Sequence, residues 1–260
     1  MAQENLAQMG AAQVRKGERD GKPVIEKRGA SEVEIAFYRD SAGMLSERGI
    51  LTPAMLAHDA PTGTLWLEFI PHAVSLEALR NDDALYRTLG ALHAATPAPG
   101  ACLHPHRLAE ENVALLCEVL SPDADAQAHL REIAARSTCL FEANTLISGD
   151  SNAGNWRRRD NGELVLFDWE RFGRGSPAID LAPLVKGMGS LADFNAILAR
   201  YAPWAPQAVD LLVPLIIAKT WIATDVTGLL HRRQNPQRAR YIDWYRQVLP
   251  GWLREMATVL

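Results

Sequence analysis

Leu146-Ile147-Ser148-Gly149-Asp150-Ser151-Asn152-Ala153-Gly154-Asn155-Trp156 is followed, after a short charged turn, by Leu164-Val165-Leu166-Phe167-Asp168-Trp169-Glu170. Then comes Gly175-Ser176-Pro177-Ala178-Ile179-Asp180-Leu181-Ala182. This stretch decides the fold. It sets three carboxylates (Asp150, Asp168, Asp180) and the carboxamide of Asn155 among small residues and tight turns, the setting in which chain direction reverses. It is also a strand-like island in a half of the chain that otherwise reads as helix.

Upstream, residues 12–16 and 23–27 are short runs on either side of Arg19-Asp20-Gly21, a hairpin signal. Ser31-Glu32-Val33-Glu34 opens a helix in capping-box form, with Ile35, Tyr38 and Leu45 at helical offsets. Residues 64–70 (T-L-W-L-E-F-I) form a β-branched and aromatic strand that stops at Pro71. Beyond Pro71 the pattern turns helical. Asp82 caps a helix carrying Leu85, Leu89 and Leu92, which Pro97 closes. A second helix carries Leu108, Leu115, Leu116 and Val119. Ser121-Pro122 reads as the cap and first position of a third. Residues 191–260 are helical, with breaks expected near Pro203, Pro206, Pro236 and Pro250. Strands first and helices afterwards give an α+β fold in two parts: residues 1–71, and residues 72–260.

Composition sets the outer limits. A chain of 260 residues, 48% hydrophobic and 22% charged, can bury a core and is not a disordered segment. A net charge of −4 gives no global footprint for nucleic acid. Three cysteines without C-x-x-C spacing read as reduced thiols of a cytoplasmic protein. The first 19 residues lack the apolar core of a signal peptide. Residues 211–218, the most apolar run, are too short to span a bilayer and contain Pro214, so no membrane partner is expected.

The spacing of Asp150 and Asn155 matches the D-x-x-x-x-N of a protein-kinase catalytic loop, and Asp168 falls where a metal-binding Asp follows it. The whole stretch resembles the aminoglycoside phosphotransferase and choline kinase family, whose signature runs H-G-D-x-x-x-x-N, I-D-[WF], G-x-P-x-x-D-L-A. The resemblance extends from about Pro23 to about Gly189 through P-V-I-E-K-R, E-I-A-F-Y-R, L-W-L-E-F-I-P and L-G-A-L-H-A. It implies a bilobal protein-kinase-like fold, with a small β-rich N-lobe that covers nucleotide and a larger helical C-lobe with catalytic loop, metal site and acceptor site. The implied reaction is transfer of the γ-phosphate of ATP, with Mg²⁺, to a hydroxyl of a small molecule: an aminoglycoside-like antibiotic, a choline-like amino alcohol or a related metabolite.

By that resemblance Asp150 is the catalytic base, while Asn155 and Asp168 hold Mg²⁺, a cation that suits oxygen donors and few protein carboxylates. Lys27 reaches the ATP phosphates and Glu34 pairs with it, although Glu34 in Ser31-x-x-Glu34 equally satisfies a helix N-terminus. Glu68, Phe69 and Ile70 stand at the hinge, where backbone meets the adenine edge. Asp180 braces the catalytic loop or caps a helix. Glu170 reads as an outer-shell contact or as solvated surface.

Two departures from the family pattern define an alternative. Ser148 replaces the His of H-G-D, and no G-x-G-x-x-G covers the phosphates, since Gly10, Gly17 and Gly21 are scattered. A kinase-like nucleotide-binding or regulatory module with weak or no catalysis fits those departures. For the acceptor, Trp221 and Asp225 lie one helical turn apart amid Trp204, Trp244, Trp252, Tyr201, Tyr241 and Tyr245. They form either an aromatic core or a face for a cationic hydroxyl compound. Arg232, Arg233, Arg238 and Arg240 suit an acidic ligand or solvent. His104-Pro105-His106 reads as an exposed loop pair, His93 as a packed core histidine, and Arg157-Arg158-Arg159 as a solvated hairpin.

Overall fold

The computed structural model describes residues 12–232 and 238–260. Two compact units make up the chain. The first comprises residues 1–105, 145–174 and 204–206; the second comprises residues 106–144, 175–203 and 207–260.

Unit 1 begins with β1 (Gln13–Arg19) and β2 (Lys22–Arg28), joined by Asp20-Gly21. Both turn residues have positive φ, 52° and 73°, as a two-residue hairpin matched to strand twist demands. β3 (Met55–Asp59) and β4 (Thr64–Glu68) complete an antiparallel sheet of order β1-β2-β4-β3. The register sets Lys27 between Val14 on one side and Leu65 on the other. Between β2 and β3 runs α1 (Glu32–Ala36), which continues through a π-helical turn (Phe37–Ser41) into α2 (Ala42–Ser46). Ser31 is the N-cap of α1, and its Oγ accepts from the Glu34 N–H.

The rest of unit 1 holds β5 (His72–Ala73), α3 (Leu76–Arg80), α4 (Asp83–His93) and the strands of the diagnostic stretch. Those are β6 (Thr145–Ile147), β7 (Trp156–Arg158), β8 (Leu164–Leu166) and β9 (Gly173–Gly175), which runs to the unit boundary. β7 pairs with β5 on one side and β8 on the other. Asp82 caps α4 as its sequence position implies, and Leu85, Leu89 and Leu92 are fully buried on its inner face with His93 beside them.

Unit 2 is helical: α5 (Glu110–Leu120), α6 (Ala124–Ala135), α7 (Thr138–Phe141), α8 (Ala178–Leu181), α9 (Leu191–Tyr201), α10 (Leu212–Arg232) and α11 (Arg238–Ala257). α10 is the hub, packing against α5, α6 and α8. It is also the one helix among the described residues long and apolar enough to cross a membrane, with most of its apolar stretch buried inside the unit. Its length exceeds the short run expected from Pro214. That proline stands in the first turn, where the missing N–H has no helical partner to lose.

Other local expectations shift for equally local reasons. Ser121 does not open α6: it ends α5 in the left-handed region (φ 47°), and Asp123 caps α6 by accepting from the Ala126 N–H. Pro250 does not break the chain, because α11 continues through it with Leu249, Trp252 and Leu253 buried around it. The break expected at Pro236 lies outside the described residues.

Gly90 on α4 faces the backbone and Cβ of Trp204 so closely that an added methyl would overlap both. Gly90→Ala is therefore expected to cost about 1–3 kcal/mol through overpacking against backbone that cannot swing aside. The check is a urea midpoint of the variant beside that of the native chain.

Candidate active site

Lys27 lies near the end of a buried strand, and burial of an ammonium demands partners. Its Nζ is 2.6 Å from Glu34 Oε2 and 2.7 Å from Asp168 Oδ1. β2 supplies the lysine, α1 the glutamate, and the turn after β8 the aspartate. Desolvation works against the Lys27 charge, yet Glu34 and then Asp168 outweigh it and hold its pKa above the usual lysine value. The Glu34 carboxylate thus turns toward Lys27 while Ser31 caps the helix through the Glu34 N–H, so Ser31 and Glu34 do not close a reciprocal box.

Asp168 reaches this position through backbone strain. Its φ is 65°, a left-handed conformation that side-chain-bearing residues seldom adopt. The next residue locks the geometry. Trp169 stacks on Phe37 at 4.0 Å with an interplanar angle of 8°, its Nε1 donates to the Leu166 carbonyl, and Phe172 packs edge-on against both rings. The π turn that begins at Phe37 hence joins the helix of Glu34 to the strand end of Asp168.

The loop after β6 holds Asp150 from several sides. Its N–H donates to Ser148 Oγ at 3.4 Å, its carbonyl accepts from Asn155 Nδ2 at 2.9 Å, and its Oδ1 accepts from Asn152 Nδ2 at 2.7 Å. Asn152 Oδ1 accepts in turn from the Gly154 N–H at 2.8 Å, and a methyl at position 154 would collide with that oxygen. Desolvation raises the pKa of Asp150, while the Asn152 bond and the Arg171 charge oppose the rise. Phe167 N–H donates to the Asn155 carbonyl at 3.0 Å, which sets Asn155 alongside the residue preceding Asp168.

Of the residues singled out in the sequence, the structure joins Lys27, Glu34 and Asp168 in one ionic set. It joins Asp150 with Asn155 in a second, linked to the first by the backbone bond to Phe167. Glu68 is tied elsewhere: its carboxylate takes both arms of Arg159, and its N–H donates to the Ala54 carbonyl, while Phe69 lies under the Lys16 ammonium and Ile70 is buried. Burial works against the Glu68 charge, but Arg159 and the Ala54 N–H keep its pKa below the usual value.

Glu170 is the residue that sequence reasoning undervalued. Carboxylate oxygens of Glu34, Asp168 and Glu170 all lie within 4.8 Å of one another. Glu170 is half-buried, and its pKa is raised by desolvation and then by Asp168. Glu34 is fully buried, and its Oε1 has no hydrogen-bond partner among the described residues. Three carboxylates facing one lysine leave uncompensated negative charge, and their donor atoms are all oxygen. These residues fit a hard divalent cation such as Mg²⁺. The signal in the sequence was the D-x-E spacing, which the left-handed turn at Asp168 converts into proximity.

In unit 2, Asp180 is fully buried in the first turn of α8 and is not its N-cap, which is Pro177. The expected aromatic cluster divides into separate packings. Trp221 packs edge-on against His106 and Phe141 and donates to the Arg107 carbonyl, so His106 is buried and not an exposed loop residue. Trp252 donates to the Gly189 carbonyl, Trp244 tilts on Tyr245, and Trp204 belongs to unit 1. Asp225 accepts from Asn112, whose Oδ1 accepts from Arg232. Arg238 and Arg240 are exposed, and Arg233 lies outside the described residues.

A family model described as the phosphotransferase enzyme family matches residues 15–212 of this chain. No curated protein matches it. Among solved structures, the choline kinase LicA from Streptococcus pneumoniae is 16% identical, with 96% of this chain and 94% of that chain covered at a TM-score of 0.65. The macrolide 2′-phosphotransferase MphH from Brachybacterium faecium is 14% identical, covering 93% and 90% at a TM-score of 0.63. A choline/ethanolamine kinase family protein from Mesorhizobium loti is 19% identical, covering 95% and 88% at 0.62. At such identities the likeness is one of fold, a protein-kinase-like one.

Glu34 also gives the site a pH signature. Desolvation, opposed by Lys27 and reinforced by Asp168, raises its pKa from 4.5 to about 7. Between those values the folded chain binds more protons than the unfolded chain, so stability falls as pH rises through that window. In EDTA, urea midpoints of the native chain are expected to drop from about pH 5 to about pH 8 relative to those of Glu34→Gln, by at most about 1.4 kcal/mol per pH unit. Parallel pH dependence in the two proteins would refute the assignment.

Proposed function

Since the chain belongs to the phosphotransferase enzyme family, we propose that it transfers the γ-phosphate of ATP, with Mg²⁺, to a hydroxyl of a small molecule, with Asp150 as the base. The observation that carries this reading is the ionic set of Lys27, Glu34 and Asp168, formed by groups 141 residues apart in sequence at most. Residues 1–71 serve as the nucleotide-covering lobe in this reading, and residues 72–260 as the lobe of catalysis and acceptor binding. The enzyme works in the cytoplasm.

Phosphoryl transfer asks the protein mainly for positioning and charge. Asp168 and Asn155, with Glu170, would hold Mg²⁺, which would supply positive charge to neutralise phosphate oxygens. Lys27, fixed by Glu34, meets the phosphates as a point charge. Phe69 and Ile70 offer backbone to the adenine edge. Asp150 orients the acceptor hydroxyl and takes its proton as the new P–O bond forms. Its pKa is raised by burial, which brings a carboxylate closer to the proton affinity that a general base needs. The Asn152 bond to that carboxylate, with the Asn155 bond to the Asp150 main-chain carbonyl, holds the group in one orientation before substrate arrives.

The acceptor class follows the fold relatives, whose names specify choline, ethanolamine, spectinomycin and macrolides. AMP and ADP accompany two of the related proteins in their solved structures, which supports an adenine nucleotide as donor. The second reading, a nucleotide-binding module with weak catalysis, draws on Ser148, whose hydroxyl meets the Asp150 N–H at only 3.4 Å.

ADP release from Mg·ATP, measured over a panel of choline, ethanolamine, spectinomycin and a macrolide, tests both readings. With the best acceptor, Asp150→Asn is expected to lower kcat by roughly 10²–10⁴ with little change in the KM for ATP. Asp168→Ala is expected to abolish the Mg²⁺ dependence of nucleotide binding in titration calorimetry. An Asp150→Asn protein with native turnover would rule out the mechanism. Tight Mg·ATP binding without turnover on any acceptor would favour the binding module.

A further inference from the structure

Arg157, Arg158 and Arg159 follow directly from Asn155-Trp156, and none of the three is a free surface cation. Arg157 and Arg158 lie in β7 and so take opposite faces, and Arg159 follows directly after the strand. Arg158 pairs with Asp82, the N-cap of α4. Arg157 Nη1 donates to the Pro71 carbonyl at 3.3 Å. Arg159 donates through Nε to Glu68 Oε1 and through Nη2 to Glu68 Oε2, both at 2.8 Å, while Nη2 also reaches the Thr52 carbonyl at 3.1 Å. Glu68 Oε2 accepts the Ala54 N–H as well. Arg157 of β7 and Arg159 just past its end therefore grip Pro71 and Glu68, the positions that bracket Phe69 and Ile70.

We propose that Arg159 is a positioning residue for the nucleotide, latching residues 68–71 to the strand that leaves Asn155 and so presetting the Phe69–Ile70 backbone for a purine edge. This inference rests on the hinge role assigned above. The fork geometry matters: a guanidinium makes two parallel bonds to one carboxylate and holds a third acceptor, which an ammonium cannot reproduce. Both partners are largely shielded, with side-chain exposures of 24% and 30%. Arg254, which bridges Asp123 and Asp125 on the surface of unit 2 at 42% exposure, shows the ordinary case and supplies a control. Presetting a two-residue backbone segment removes an ordering cost from binding, so the latch acts on affinity for the purine half of the nucleotide and not on the transfer step.

AMP is the probe, because it carries the purine and lacks the phosphates that meet Lys27 and the metal. Titration calorimetry in EDTA, below the melting range of each variant, reads the effect. Arg159→Ala is expected to weaken AMP binding by about tenfold or more, and Arg159→Lys by about threefold, since a single bond survives. Glu68→Gln, which keeps the side-chain volume, is expected to weaken it in the same direction, and Arg254→Ala to leave it within about twofold. A lowered melting midpoint with AMP affinity unchanged in Arg159→Ala and Glu68→Gln would mean that the pair serves the fold alone, and overturns the inference. A native chain that binds no AMP overturns the hinge assignment and this inference with it.

Discussion

An ammonium confined among carboxylates is the constraint from which the rest of unit 1 follows. Lys27 is 6% exposed, and a charge so placed is tolerable only while Glu34 and Asp168 both stay within 3 Å. Three segments distant in sequence must then meet at one point: a strand, a capped helix and the turn after a buried strand. Strain at Asp168, the π turn beginning at Phe37 and the stacked Trp169 are the local adjustments that allow it. Each is unfavourable or unusual alone, and together they hold an arrangement in which negative charge exceeds positive. In the proposed reaction such a site receives a cation and an anion together, as a metal-bound triphosphate supplies.

Much of this was legible in the residues. Asp150, Asn155 and Asp168 stand in a spacing with a chemical meaning, and Asp20-Gly21 has little choice but a hairpin. Asp82 and the leucines behind it specify α4. What escaped reading depended on partners far away in sequence. Ser121 and Asp123 compete to start α6, and the contest is settled by Ser121 closing α5. The three arginines looked solvated because Glu68, Pro71 and Asp82 are some 80 residues distant. Glu170 looked peripheral because only the turn at Asp168 brings it beside Glu34. β3 went unread, since Met55-Leu56-Ala57-His58-Asp59 carries neither β-branched residues nor a clean alternation, and its pairing with β4 slips at Met55/Ala57.

Unit 2 teaches a different lesson. Of the tryptophans that suggested a ligand face, Trp221 and Trp252 are buried at separate helix contacts with their indole N–H groups spent on carbonyls, while Trp244 is exposed against Tyr245. Burial without a polar opening is what an aromatic core looks like. The polar chain Asp225–Asn112–Arg232, crossing between α10 and α5, depends on Gly228, where any side chain would displace the Asn112 amide. Lys219 shows how the same unit treats charge: its ammonium caps the Ala182 and Val185 carbonyls, and desolvation lowers its pKa to about 8.

The stack of Trp169 on Phe37 has an optical consequence. The indole is wholly buried, adjacent in sequence to Asp168, and laid flat on a ring carried by the helix of Glu34. Any displacement of that helix from the strand end must slide one ring across the other before it can separate Lys27 from its partners. The protein thus contains its own chromophore at the joint where its charges are aligned, and with the other six tryptophans replaced the emission of that indole would report their alignment without a label.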